Sequence, residues 1–125
     1  MVNKYIDGIT QKVLKKKIKL ILPEQNDLRV KKAQNYLISM GVDFVDVDEY
    51  DDSTLYINHI KNKKFTSNWT DDMLEAYASV SLNKALILLD LDYADCLVAG
   101  AMTPSADVIK SSIRIVGLKK QTQWI

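Results

Sequence analysis

The sequence predicts an α/β domain built as three αβα layers around a short, mostly parallel sheet. Apolar residues at helical spacing alternate along the chain with short apolar runs, the order expected when strands are joined by helical crossovers. Pro23, Gly41, Pro104 and Gly117 fall at the ends of those segments, where chain-breaking residues belong. No repeat, low-complexity stretch or linker divides the 125 residues, so residues 1–125 read as a single domain.

Val2, Ile6, Ile9 and Val13 have the spacing of a short amphipathic helix over 2–14. Residues 18–22 (Ile-Lys-Leu-Ile-Leu) read as a buried strand stopped by Pro23. Asn26 or Asp27 caps a helix whose stripe is Val30, Ala33, Leu37 and Met40, and Gly41 supplies the left-handed position that ends it. Residues 42–47 alternate as a strand. Asp51 to Ser53 start a helix carrying Leu55, Tyr56, His59 and Ile60, and residues 61–69 read as an exposed loop. Leu74, Ala78, Leu82, Leu86 and Leu89 keep one helical register from a cap at Thr70, which predicts a single helix over about 71–90. A turn over 91–95 leads to a short buried strand at 96–99. Pro104 sits at a first helical position, Ala106, Ile109, Ile113 and Val116 form the next stripe, and Gly117 ends it. Residues 122–125 have the look of a strand beginning.

Seventeen basic against sixteen acidic residues leave a formal charge of +1, which argues against a nucleic acid or an anionic membrane as partner. No apolar stretch reaches the roughly 20 residues of a membrane helix, and the first eight residues lack the apolar core of a signal peptide. The lone Cys96 excludes an internal disulfide and fits a reducing, cytoplasmic setting.

Two segments carry candidate chemistry. Residues 99–107 run from a strand through Gly100, Ala101 and Thr103 into a helix start with Ser105 and Asp107. Free N–H groups at a helix start bind phosphate, small residues let an anion approach, and strand C-termini are where open α/β sheets place ligands. A helix capped by Thr103 after a tight turn explains the same residues, and both readings stand. The second segment, Pro23 to Val30, also joins a strand to a helix. There Glu24, Asp27 and Arg29 suit a capping and ion-pair cluster. Asp90, Asp92 and Asp95 fit a helix end and a turn better than a metal site. His59 reads as a surface helix residue, Cys96 as an inert buried thiol, and Trp69 and Trp124 as packing residues.

Pro23-Glu24-x-x-Asp27-x-Arg29-Val30 resembles the opening motif of the phosphate acetyltransferases, close relatives of the phosphate butyryltransferases. Residues 94–101 (Ala-Asp-Cys-Leu-Val-Ala-Gly-Ala) and then 103–109 (Thr-Pro-Ser-Ala-Asp-Val-Ile) resemble that family's Ala-Asp-Gly-x-Val-x-Gly-Ala segment and the Ser/Thr-Ala-Asp that follows it. Ile113 to Leu118 continues the match. The likeness is dense over 18–30 and 91–118. It implies an isocitrate/isopropylmalate dehydrogenase-like fold and acyl transfer between acetyl phosphate and coenzyme A, a reaction of acetate metabolism. The thiolate would attack the acetyl carbonyl directly. Coenzyme A would be a substrate, with no bound cofactor. The phosphate site would be Gly100, Ala101, Thr103 and Ser105, supported by Asp107, Glu24, Asp27 and Arg29. The family's base, its phosphate-binding arginine and much of its coenzyme A surface lie in a second domain. The chain is therefore expected to be an N-terminal part with no catalytic residue of its own, inactive alone, prone to self-association, and completed by a further copy or a C-terminal domain.

Departures from the family favour a rival reading, a non-catalytic assembly or regulatory module. Residues 40–48 are too short for the strand and helix that the family has there. Lys63 or Lys64 stands in place of an arginine, losing the bidentate fork. Asp92 and Cys96 stand where the family has glycine, and aspartate tolerates a left-handed turn.

Overall fold

The computed structural model describes residues 17–100 and 103–117; the helix expected over 2–14 and the strand start at 122–125 lie outside them. Three parallel strands, β1 (Lys19–Ile21), β2 (Asp43–Phe44) and β3 (Cys96–Leu97), are ordered β2-β1-β3. Lys19 pairs with Asp43, and Leu20 with both Phe44 and Cys96. The Asp95 carboxylate accepts the Lys19 N–H at 2.9 Å, while the Asp95 N–H donates to the Lys19 carbonyl. This reciprocal pair fixes the entry of β3.

Among the described residues five helices follow the strands: α1 (Leu28–Ser39), α2 (Ser53–Ile60), α3 (Asp71–Ala78), α4 (Ser81–Asp90) and α5 (Ser105–Ile115). Asp27, Asp52 and Thr70 cap α1, α2 and α3 through their side-chain oxygens, satisfying N–H groups that have no partner inside the helix. Gly41 and Asp92 occupy the left-handed positions that the sequence assigned them, at φ 94° and 65°. β1 lies between its two partners, so the connection through α1 to β2 goes to one side and the return through α2 to α4 ends at β3 on the other. The chain thus reverses direction between β1 and β3, and a crevice opens beyond the ends of those two strands.

Helix α4 is the core. Leu82, Ala85, Leu86, Ile87 and Leu88 are all buried, as suits a helix surrounded on most sides. It packs on α2, α3, α5 and β3, with Ile21, Tyr56, Ile60, Leu74, Ala78 and Ile115 around it. The Tyr56 hydroxyl donates to the Tyr50 carbonyl at 2.6 Å, and burial pushes this phenol up to about 12.

The structure corrects several expectations. The helix expected over 71–90 is two, α3 and α4, broken at Ser79 and Val80. Val80 is extended, at ψ 129°. The loose end of α3 is tied by Ser79 Oγ donating to the Ala76 carbonyl and Asn83 Nδ2 donating to the Tyr77 carbonyl. Ala78 and Leu82 both stay buried across the break, so the apolar period ran through it unmarked. Of the strand expected over 42–47, only Asp43–Phe44 pairs; Val47–Glu49 closes into a 3-10 turn capped by Asp46. The loop at 61–69 is not simply exposed. Thr66 is buried, its hydroxyl bonded to the Ile60 and Lys63 carbonyls, and Phe65 and Trp69 pack with Tyr77. Cys96 and Val98 are exposed rather than buried, because β3 is a two-residue edge strand. The α1 stripe is at best half-buried, and Leu28 and Tyr36 are 73% and 66% exposed: strands of two and three residues give a 12-residue helix little to lie on. Helix α5 starts at Ser105, one residue beyond Pro104. It turns Val108 and Ile115 inward, while the expected stripe faces out, with Ile109 47% and Ile113 40% exposed.

Asp90 ends α4, where the helix dipole disfavours an acid. Lys63 Nζ and His59 Nε2 meet its Oδ2 at 2.8 and 2.6 Å, so His59 is a half-buried partner rather than a plain surface residue. Burial works to raise this carboxyl, but the bonds from Lys63 and His59 win and hold it below its usual value. A depressed folded value contributes stability above the unfolded pKa and loses it as pH falls through the folded one. Asp90→Asn is therefore expected to lower the urea midpoint at pH 7, and the gap to wild type to close as pH drops below about 4; a gap that does not change with pH refutes the charge assignment. Tyr56→Phe, which removes one of two bonds to a Tyr50 carbonyl that also accepts the Asp52 N–H, is expected to lose about 1 kcal/mol in the same titration.

Candidate functional site

The loops after β1 and β3 flank the crevice, and one side chain joins them. Glu24, from the β1 loop, accepts the Gly100 N–H on Oε1 and the Thr103 N–H on Oε2, each at 2.7 Å. These charge-assisted bonds are short and strong. Gly100 sits at φ 114°, where side chains are rarely found. A Cβ there would meet nothing within 4 Å, so backbone conformation alone asks for glycine.

Two backbone donors in the loop after β3 thus already hold an anion, and it belongs to the protein. Asp27 and Arg29 pair at the start of α1, 2.7 Å apart, while Asp27 Oδ1 caps the helix. The bond from Arg29 lowers the Asp27 carboxyl, and Asp27 raises the guanidinium in return. Ser105 is exposed at the first position of α5, and Ala101 lies outside the described residues.

Beyond Glu24 lies a cleft of about 540 Å³, walled by residues 23–26, by Tyr77 and residues 80–83, and by one face of α5 with Thr103 before it. That volume suits a small-molecule site. Asp107, Lys110, Ser111 and Arg114 line the α5 side at spacings of three, four and seven, hence on one face. Arg114 lies over the Phe65 ring, 5.8 Å from its centre, and the Tyr77 hydroxyl is 3.5 Å from Ser111 Oγ. Among the described residues neither Lys110 nor Arg114 has an ion-pair partner. With Glu24 engaged by backbone donors, these are the cleft's available charges for an anionic ligand, with Asp107 opposing them.

The structure therefore brings together Glu24, Gly100, Thr103 and Asp107 and adds Lys110 and Arg114. Sequence reasoning passed over those two because it assigned α5's outward apolar stripe to the core, which misplaced the polar face. The signal that could have found them is the spacing 107, 110, 111, 114 directly after the Gly100–Thr103 loop. Among the described residues no group of three or more His, Cys, Asp or Glu side chains could hold a metal ion, and no helix is long and apolar enough to cross a membrane.

The model of the family described as phosphate acetyl/butaryl transferase matches residues 9–125, which include every described residue and both motif segments. No curated protein matches the chain.

Glu24→Gln keeps the side chain's shape but turns one accepting oxygen into an NH2 group facing an N–H donor. A stability loss of about 2–3 kcal/mol is expected by urea unfolding. A change within about 0.5 kcal/mol would show that the bridge contributes nothing to the fold.

Proposed function

Because the chain belongs to the phosphate acetyl/butaryl transferase family, we propose that it serves acyl transfer between an acyl phosphate and coenzyme A, with acetyl phosphate as the acyl donor and butyryl phosphate as its variant. The observation that carries this reading is the cleft at the ends of β1 and β3, with Lys110 and Arg114 on its wall. In the reaction the coenzyme A sulfur, having given up its proton, attacks the acyl carbonyl. A C–S bond forms, the C–O bond to phosphate breaks, and phosphate leaves with the electron pair.

This domain's contribution is to hold the phosphate charge beside Lys110 and Arg114, orient the reactants and keep the strand-end loops rigid through Glu24. No residue of the cleft wall is assigned as the base. A facing domain, or another copy of the chain, completes the site, and the reaction runs in the cytoplasm. A second reading, a non-catalytic anion-binding module, draws support from Glu24 occupying the Gly100 and Thr103 donors.

The test is thioester formation from acetyl phosphate and coenzyme A, paired with thermal protection by inorganic phosphate. The acyltransfer reading expects turnover above a no-protein control, with turnover and protection both falling at least tenfold in Lys110→Ala/Arg114→Ala, since each charged bond is worth about 1.5–3 kcal/mol. Protection without turnover means a half-site that binds phosphate but does not react by itself, and restored turnover on adding a facing domain then separates the acyltransfer reading from the module. Neither effect overturns both readings.

A further inference from the structure

Of the two cations on the cleft wall, the fold holds Arg114 in place. Its guanidinium lies over the Phe65 ring, 5.8 Å from the centre, within the range of a cation–π contact. Lys110, one turn earlier on α5, has neither a ring contact nor an ion pair among the described residues. The seat under Arg114 is itself fixed. Phe65 meets Trp69 edge-on at 5.4 Å and Tyr77 at 5.6 Å, and Trp69 and Tyr77 meet each other at 5.1 Å. Rings packed on one another in this way restrict each other's rotation. The chain is pinned just before and just after Phe65. Lys63 Nζ donates to Asp90 Oδ2 at 2.8 Å, and the buried Thr66 hydroxyl donates to the Ile60 carbonyl at 2.6 Å. Tyr77 also reaches α5 directly, its hydroxyl 3.5 Å from Ser111 Oγ, so the aromatic group and the cleft face of α5 share one register.

The loop at 61–69 thus does more than join α2 to α3. A long cationic side chain gives up rotamer freedom when it grips an anion, and a side chain already held in place loses less. A ring holds a guanidinium without engaging its N–H fork as a carboxylate would, so the donors that match a phosphate stay available. We propose that Phe65 is a positioning residue of the cleft: it holds Arg114 at the wall in the arrangement that receives the phosphate group of the acyl phosphate. The inference rests on the reading of this cleft proposed above and names the group that orients its anion-binding arginine. It makes a side chain from the 61–69 loop part of a site that neither motif segment contains. A planar face is needed at position 65, whereas apolar bulk alone would serve packing.

The experiment titrates the full chain with inorganic phosphate, followed by NMR shifts. Phe65→Leu keeps apolar bulk and removes the ring. Because Arg114 is exposed, this change is expected to weaken phosphate binding about twofold to fivefold, as for an exposed cation–π contact. Phe65→Tyr, which keeps the ring, is expected to bind phosphate as wild type does. In an Arg114→Ala background, Phe65→Leu is expected to change phosphate affinity no further. A merely structural role predicts otherwise: the same loss with and without Arg114. That result, no rescue by Phe65→Tyr, or wild-type affinity in Phe65→Leu overturns the proposal. A second readout needs no variant. The Arg114 Nε–H resonance of wild type is expected to be displaced by the Phe65 ring current and to move on phosphate addition. A resonance at the position of a free arginine overturns the proposal even where Phe65→Leu fails to fold. Phosphate binding that ignores Phe65 refutes only that residue's role and leaves the acyltransfer reading standing. Absence of phosphate binding by wild type refutes both.

Discussion

The sheet is too small to be the core of this domain, and the rest of the structure follows from that constraint. Strands of three, two and two residues cannot bury enough apolar surface to organise five helices. Helix α4 takes the central place instead, with buried side chains around most of its circumference. The strands serve as a short rack that sets direction. Parallel pairing aims the ends of β1 and β3 the same way, so the loops carrying Glu24 and Gly100 lie side by side. The pairing of Asp95 with Lys19 fixes where that rack starts, and the Glu24 bridge closes its far end.

The elements that sequence reasoning recovered are those with local chemical punctuation. Asp27, Asp52 and Thr70 cap as their types predict, Gly41 ends α1, and Asp92 takes a left-handed turn. The parallel sheet follows from the alternation of strands and helices. What escaped was direction rather than identity. A helix's period says which residues share a face but not which face turns inward. In α5 the more regular apolar stripe is the exposed one, because Val108 and Ile115 already fill the space against α4. The break at Ser79 and Val80 was hidden for a related reason: the phase of burial is preserved through it, so the pattern carried no interruption to read.

The candidate site was legible in its position and incomplete in its chemistry. The paired motifs at 23–30 and 94–107 lead to the two loops that meet, and the family match spans both. The contact between them could not be read from either segment alone, since Glu24 and Thr103 are joined across 79 positions of chain. The same holds for His59, which reads as a solitary surface histidine until folding sets it beside Asp90, 31 positions away. Lys110 and Arg114 were missed together. Both lie on a helix whose inward face was misassigned, and both become visible once α5 is rotated to bury Ile115.

The Glu24 bridge makes the protein its own competitor. A carboxylate tethered one loop away from the Gly100 and Thr103 amides acts on them at an effective concentration of about millimolar or above. A free anion must exceed that to take those amides, and would then leave Glu24 as a displaced negative charge in the same small space. The bridge therefore guards those amides by occupancy rather than by shape. An anion that took those amides would need further contacts of its own to offset opening the bridge.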